Sequence, residues 1–206
     1  MLFIDFLTRW AHVLFGVTWI GLLYYFNFIQ GAYFAEATAD AKADATQKLA
    51  PRALWWFRWG AMGTFLTGSF LLYTLGAASS QYIILGALMG TFMFLNVWLI
   101  IWPNQKIVIG LSEGDKLVAG GKALLASRTN TLFSAPMLYG MLASRHGMQI
   151  ESMDFADFGF LLALAIIVLL ELNAIIGKLG PIASVKGVIH SSLLLTVVIF
   201  GVAHYL

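Results

Sequence analysis

The stretch VIHSSLLLTVVIFGVAHYL, residues 188–206, contains no Asp, Glu, Lys or Arg. About 20 consecutive apolar residues suffice for an α-helix to cross the hydrocarbon core of a bilayer, so this run predicts a membrane helix near 185–205. It carries two histidines, His190 and His204, fourteen positions apart. At 100° per residue they return to within about 40° of one helix face, roughly 21 Å apart along the axis. An ionisable side chain inside a membrane is costly and marks a functional candidate. Neutral imidazole is also the usual axial ligand of haem iron.

Working outward, further apolar runs fall near 5–30, 53–77, 81–102, 129–146 and 157–177. The run at 129–146 is the weakest, being short and interrupted by Ser134 and Pro136. The expected fold is an all-α integral membrane protein, a bundle of about six transmembrane helices in a single domain over residues 1–206. Composition agrees. Of the 206 residues 60% are hydrophobic and 11% charged, where soluble domains carry about 25% charged residues. The net charge of +2 implies no nucleic-acid partner. The chain has no cysteine, which excludes disulfides, iron–sulfur ligation, thiolate zinc and a C-x-x-C-H attachment for c-type haem. Any haem must be held without a covalent bond, as haem b. The N-terminus reads as the first membrane helix rather than a removed signal.

Basic residues set the expected orientation. Lys42, Lys48, Arg52, Lys106, Lys116, Lys122, Arg128, Lys178 and Lys186 occupy the connections 1–2, 3–4 and 5–6, against Arg9 and Arg145 on the other side. Both termini are therefore expected in the periplasm, with the protein multi-pass in a bacterial inner membrane. The connections at 36–52 and 103–128 read as polar loops, the first with a short surface helix.

This topology sorts polar residues into two layers. His12 and His204 fall on the periplasmic side, suited to hold one haem b between them, with Trp19 packing on the cofactor. His146 is expected at the periplasmic mouth of the fourth helix. The cytoplasmic half collects Asn27, Arg58, Asn96, Asn104, Arg128, Asn130, Glu171 and Asn173. Arginines and amides suit a flat, anionic ligand rich in hydrogen-bonding edges, so Arg58, Asn96, Asn104, Arg128 and Asn130 are the expected substrate-binding set. Glu171 or His190 is the expected proton acceptor. A structural reading stands beside each of these: Glu171 paired with Lys178, amides capping helix ends, and His190 hydrogen-bonded locally. Trp55, Trp56, Trp59 and Trp102 read as an interfacial belt. Gly86 and Gly90 form a G-x-x-x-G pair, a close-packing motif that also serves homo-oligomers.

Four stretches carry a resemblance: HVLFGVTWIGLLYYFNF at 12–28, KLAPRALWWFRWGAM at 48–62, NVWLIIWPNQK at 96–106 and ALLASRTNTLFSAPML at 123–138. They are similar to the membrane domain of the bacterial membrane-bound urate oxidase (urate hydroxylase) family. The resemblance implies a polytopic membrane domain linked to purine degradation, followed in the family by a periplasmic cytochrome c domain. Urate would be oxidised to 5-hydroxyisourate with electrons passed to the cytochrome. This sequence ends at Leu206 without a C-x-x-C-H, so the expected acceptor is a separate cytochrome c or a respiratory complex. The opening from His12 to Gly21 is also similar, over a shorter pattern, to bacterial membrane protoporphyrinogen oxidases. The alternative from another class is a haem-free accessory or assembly subunit of a respiratory membrane complex.

Overall fold

The polar residues ahead of the apolar runs do the work of starting helices. Ser80, Asp115, Asp157 and Ser184 each turn a side-chain oxygen onto a backbone N–H two or three residues on, at 3.4, 2.8, 2.8 and 3.0 Å. Such caps satisfy donors that the first helical turn leaves open. The computed structural model describes residues 2–76, 79–146 and 156–206. The expected end of the second helix at residue 77 and most of the connection after His146 lie outside them.

Six helical stretches follow in order among the described residues. The first joins α1 (Leu2–Tyr24), a π turn (Tyr25–Gln30) and α2 (Gly31–Glu36). The second joins α3 (Ala39–Asp44), a π turn (Ala45–Leu49) and α4 (Ala50–Leu75). The third joins α5 (Gln81–Leu95), a π turn (Asn96–Ile101) and α6 (Trp102–Val108). Then come α7 (Lys116–His146), α8 (Phe158–Ile176), a short 3-10 turn (Gly180–Ala183) and α9 (Val185–Tyr205). No strand occurs among the described residues.

Four helices, Phe3–Glu36, Gln81–Val108, Phe158–Ile176 and Val185–Tyr205, are long and apolar enough to cross a membrane. The protein is an all-helical membrane protein. The helices α4 and α7, of 26 and 31 residues, match the expected second and fourth runs in position and are more polar.

The structure departs from the sequence reading most in the connections. The expected loop at 103–128 is largely helical, because α6 carries the third helical stretch on through Pro103 to Val108, and Asp115 starts α7 at Lys116. Only 109–115 remain as a turn, closed at Gly110, whose φ of 83° an L side chain rarely adopts. Hydropathy marks where a helix is apolar, and α7 begins thirteen residues before it becomes so. The connection at 36–52 holds the short helix expected of it, α3, which its π turn continues into α4.

The chain forms two compact units, Met1–Ser69 with Phe94–Ser127, and Phe70–Met93 with Arg128–Leu206. In the first, the α4 sequence GAMGTFLTG, residues 60–68, lays Gly60, Gly63, Thr64, Thr67 and Gly68 at i, i+3, i+4, i+7 and i+8, one helix face. The helix α1 packs antiparallel on that stripe. A Cβ at Gly60 would meet the Trp19 backbone at 3.1 Å, one at Gly63 the Phe15 ring at 2.5 Å, and one at Gly68 His12 Cε1 at 2.9 Å. Each glycine makes room for a particular α1 residue.

In the second unit, α5 and α7 approach backbone to backbone. A Cβ at Gly86 would lie 3.2 Å from the Met137 carbonyl, and one at Gly140 2.7 Å from the Tyr82 carbonyl. Gly86 of the G-x-x-x-G pair is thus a close-packing glycine. Pro136 inside α7 brings no N–H to the Leu132 carbonyl one turn back, and the Ser192 hydroxyl of α9 donates to that carbonyl at 2.8 Å instead.

Candidate functional site

The sequence-predicted residues divide between the units. His12, Trp19, Arg58, Asn96 and Asn104 belong to the first, and Arg128, Asn130, Glu171, His190 and His204 to the second.

In the first unit His12 is half-buried on α1, with Nδ1 at 3.0 Å from both the Thr64 carbonyl and Thr67 Oγ1. A backbone carbonyl only accepts, so Nδ1 carries the proton. Thr67 sends its own proton to the Gly63 carbonyl at 2.6 Å and accepts from His12. The imidazole is therefore fixed with the Nε2 lone pair uncommitted. Trp19 lies seven residues further along α1, 2% exposed, and its indole N–H is buried with no partner among the described residues.

The guanidinium of Arg58 stacks on Trp102, its Cζ 3.3 Å from the ring centroid and 5.9 Å from that of Trp98. Lys106 Nζ lies 5.8 Å from the Trp102 centroid, so one indole carries two cations. Cation–π contact holds the charges in place without neutralising them. Arg58 Nε and Trp98 Nε1 are both buried N–H donors with no hydrogen-bond partner among the described residues. Trp102 was legible only as a belt residue, and Trp98 was passed over. Their role as a platform for Arg58 follows from the π turn Asn96–Ile101, which re-aims the residues that follow it.

The same kind of turn occurs in α1. Within Tyr25–Gln30, Asn27 is 4% exposed and donates Nδ2 to the Leu23 carbonyl at 2.9 Å and to Ser127 Oγ at 2.8 Å. Its Oδ1, and Gln30 Oε1 three residues on, are buried acceptors without a partner among the described residues. Phe26 meets Phe57 edge-on at 5.5 Å, which sets this turn against the Arg58 turn of α4. Sequence reasoning noted Asn27 as a polar helix end and passed over Gln30. The signal that marks them is the π turn, which hydropathy does not report. Asn104, by contrast, donates Nδ2 to the Ile100 carbonyl of its own helix at 2.7 Å, and Asn96 is fully buried.

In the second unit Asn130 is fully buried and donates Nδ2 to the Met93 carbonyl at 2.9 Å, just ahead of the π turn at Asn96. Arg128 is 8% exposed, and its Nε and Nη1 have no hydrogen-bond partner among the described residues. Glu171 is buried on α8. His204 is half-buried, with Nδ1 at 3.0 Å from the Tyr82 hydroxyl. Tyr82 meets Phe200 edge-on at 5.2 Å. His190 lies on an exposed face of α9, and His146 is the exposed last residue of α7. Asn173 closes the end of α8 by bonding both the N–H and carbonyl of Lys178, at 3.3 and 3.1 Å. No group of three or more metal-ligating side chains occurs among the described residues.

Residues 71–176, just over half of the chain, match the family described as "Urate oxidase N-terminal". The chain belongs to that family. The match takes in two of the four stretches that carried the resemblance, 96–106 and 123–138, and with them Asn96, Asn104, Arg128, Asn130 and Glu171. His12, Trp19, Arg58, His190 and His204 lie on either side of the matched span. No curated protein and no solved structure matches the chain. For this urate oxidase N-terminal family member, the first unit supplies the clearest ligand chemistry: aromatic surface, half-buried positive charge and uncommitted hydrogen-bonding atoms on adjoining turns.

Proposed function

We propose that the protein is a urate-oxidase-type membrane oxidoreductase that takes electrons from urate or a similar planar anion and delivers them to a cytochrome c-type acceptor. One observation carries the reading. In a membrane protein of this family, Arg58 lies over the Trp102 ring with its Nε unpartnered among the described residues, as is a second N–H, that of Trp98. A guanidinium fixed in this way provides charge and a directed donor for an anionic, planar heterocycle. Trp98 adds a neutral donor, and the buried Asn96 amide belongs to the same turn. Arg128 brings a further buried cation to the second unit, where the buried Glu171 is the carboxylate we propose as proton acceptor.

The reaction balances as urate plus water giving 5-hydroxyisourate, two protons and two electrons. The water oxygen forms the new bond at the oxidised carbon, and the electrons leave one at a time to two equivalents of cytochrome c. Haem b is the redox group we propose, and its role would be to carry single electrons. The fit is tested by the histidines. His12 has Nδ1–H committed to a backbone carbonyl and Nε2 free, the arrangement that orients a metal-ligating imidazole. His204 has Nδ1 engaged by Tyr82. Each is a candidate axial ligand in its own unit, and Trp19 packs one helical face along from His12. With basic residues concentrated in the odd-numbered connections, the proposal faces these to the cytoplasm and both termini to the periplasm.

The test is urate-dependent reduction of ferricytochrome c by the purified protein, alongside a reduced-minus-oxidised spectrum. The proposal expects turnover in the wild type, a b-type band, and loss of turnover with retention of the band in Arg58→Ala. A folded protein with neither urate turnover nor haem would overturn it.

A further inference from the structure

Beside the donors of Arg58 and Trp98, the first unit also holds uncommitted acceptors, Asn27 Oδ1 and Gln30 Oε1. A simple anion offers nothing to them. Asn27 cannot turn its amide to relieve this. Its Nδ2 is held by the Leu23 carbonyl and Ser127 Oγ, so Oδ1 is the atom left over. Gln30 Oε1 is the second carbonyl oxygen, on the same π turn. The Phe26–Phe57 contact puts that turn beside Arg58. A buried acceptor with no partner forgoes a hydrogen bond it would have in water, a cost of about 1–3 kcal/mol, and side chains retained at that cost mark a place where a donor arrives.

We propose that Asn27 Oδ1 and Gln30 Oε1 are specificity-determining acceptors that receive ring N–H groups of the ligand, opposite the donors of Arg58 and Trp98. This deepens the functional reading above and rests on it for the identity of the substrate. The ligand class that satisfies both halves is a planar heterocycle with alternating N–H and C=O edges, as in an oxopurine. A quinone headgroup or a plain carboxylate carries acceptors alone and would leave Asn27 and Gln30 unmet. A site built to bond an N–H discriminates against a ligand that lacks it far more strongly than an apolar pocket discriminates by size.

The experiment is equilibrium binding to the purified full chain, read by quenching of tryptophan fluorescence. The probes are urate, xanthine and uracil, each against its ring-N-methylated forms. The wild type is expected to bind at least one N–H form and to bind its methylated counterpart at least about tenfold more weakly. Gln30→Leu is expected to reduce that discrimination to less than about threefold, as is Asn27→Leu if it folds. Gln30→Glu, which keeps an acceptor oxygen, is expected to restore part of it. Equal binding of methylated and unmethylated forms, discrimination unchanged in Gln30→Leu, or no binding of any N–H heterocycle would each overturn the inference. Binding of xanthine or uracil with the expected discrimination, but not of urate, would uphold the acceptors and overturn urate as the substrate.

Discussion

The two units treat buried polar groups in opposite ways. In the second, polar side chains mend the backbone. Ser192 replaces the N–H that Pro136 lacks and Asn130 supplies the Met93 carbonyl ahead of a π turn, while the Tyr82 hydroxyl and His204 satisfy each other side chain to side chain. In the first, polar atoms remain uncommitted: Trp19 Nε1, Asn27 Oδ1, Gln30 Oε1, Arg58 Nε and Trp98 Nε1. Arg128 is an exception in the second unit, a buried cation with two nitrogens unpartnered among the described residues. The difference teaches that polarity within a membrane bundle does not by itself mark a ligand site. A polar group whose capacity is used up inside the fold is explained by the fold. One whose capacity is left over asks for something else.

The comparison can be broken by substitution. The largest effect is expected at Arg58: Arg58→Ala should lower kcat/KM for urate by about 100-fold, about 2.7 kcal/mol, with little change in thermal stability. A comparable loss of stability would instead make Arg58 a packing residue. Gly68→Leu comes next. Its side chain would displace the His12 ring, so the variant should lose about 1–3 kcal/mol of stability and its haem band together. Unchanged haem content would detach His12 from haem ligation. Asn130→Leu should cost about 1–3 kcal/mol in denaturant titration, because the Met93 carbonyl loses its donor.

The smallest effect is also the most specific. Ser192→Ala should destabilise by about 1 kcal/mol, since the Leu132 carbonyl is left without a partner. In a Pro136→Ala background the backbone regains its own N–H at that point, and the cost of Ser192→Ala should vanish. A double-mutant cycle with no coupling would mean that Ser192 does not mend the proline break.

Much of the fold was legible because bilayer thickness imposes a length on apolar runs. The run at 188–206 gave α9, and even the weak run at 129–146 lies wholly within α7. Helical periodicity outside the bilayer was less legible, since Lys116–Ser127 is helical without being apolar. The site was legible by residue type and not by arrangement. Arg58 and Asn130 were both marked as ligand-binding amides and cations, yet Asn130 spends its donor on a carbonyl 37 residues away, which no local pattern announces. Gln30 was missed because a glutamine at a helix end looks like solvent-facing polarity. Its meaning depends on a π turn, a departure of one residue in the hydrogen-bond ladder that composition does not encode. The GAMGTFLTG stripe at 60–68 went unread although its spacing is helical, and it explains how α1 presents His12 and Trp19.

The most direct test of the account is equilibrium dialysis of labelled urate against the wild type, Arg58→Ala and Ser192→Ala. The account predicts saturable binding by the wild type and by Ser192→Ala, and affinity at least about 100-fold weaker for Arg58→Ala. Equal affinity in the wild type and Arg58→Ala would contradict it.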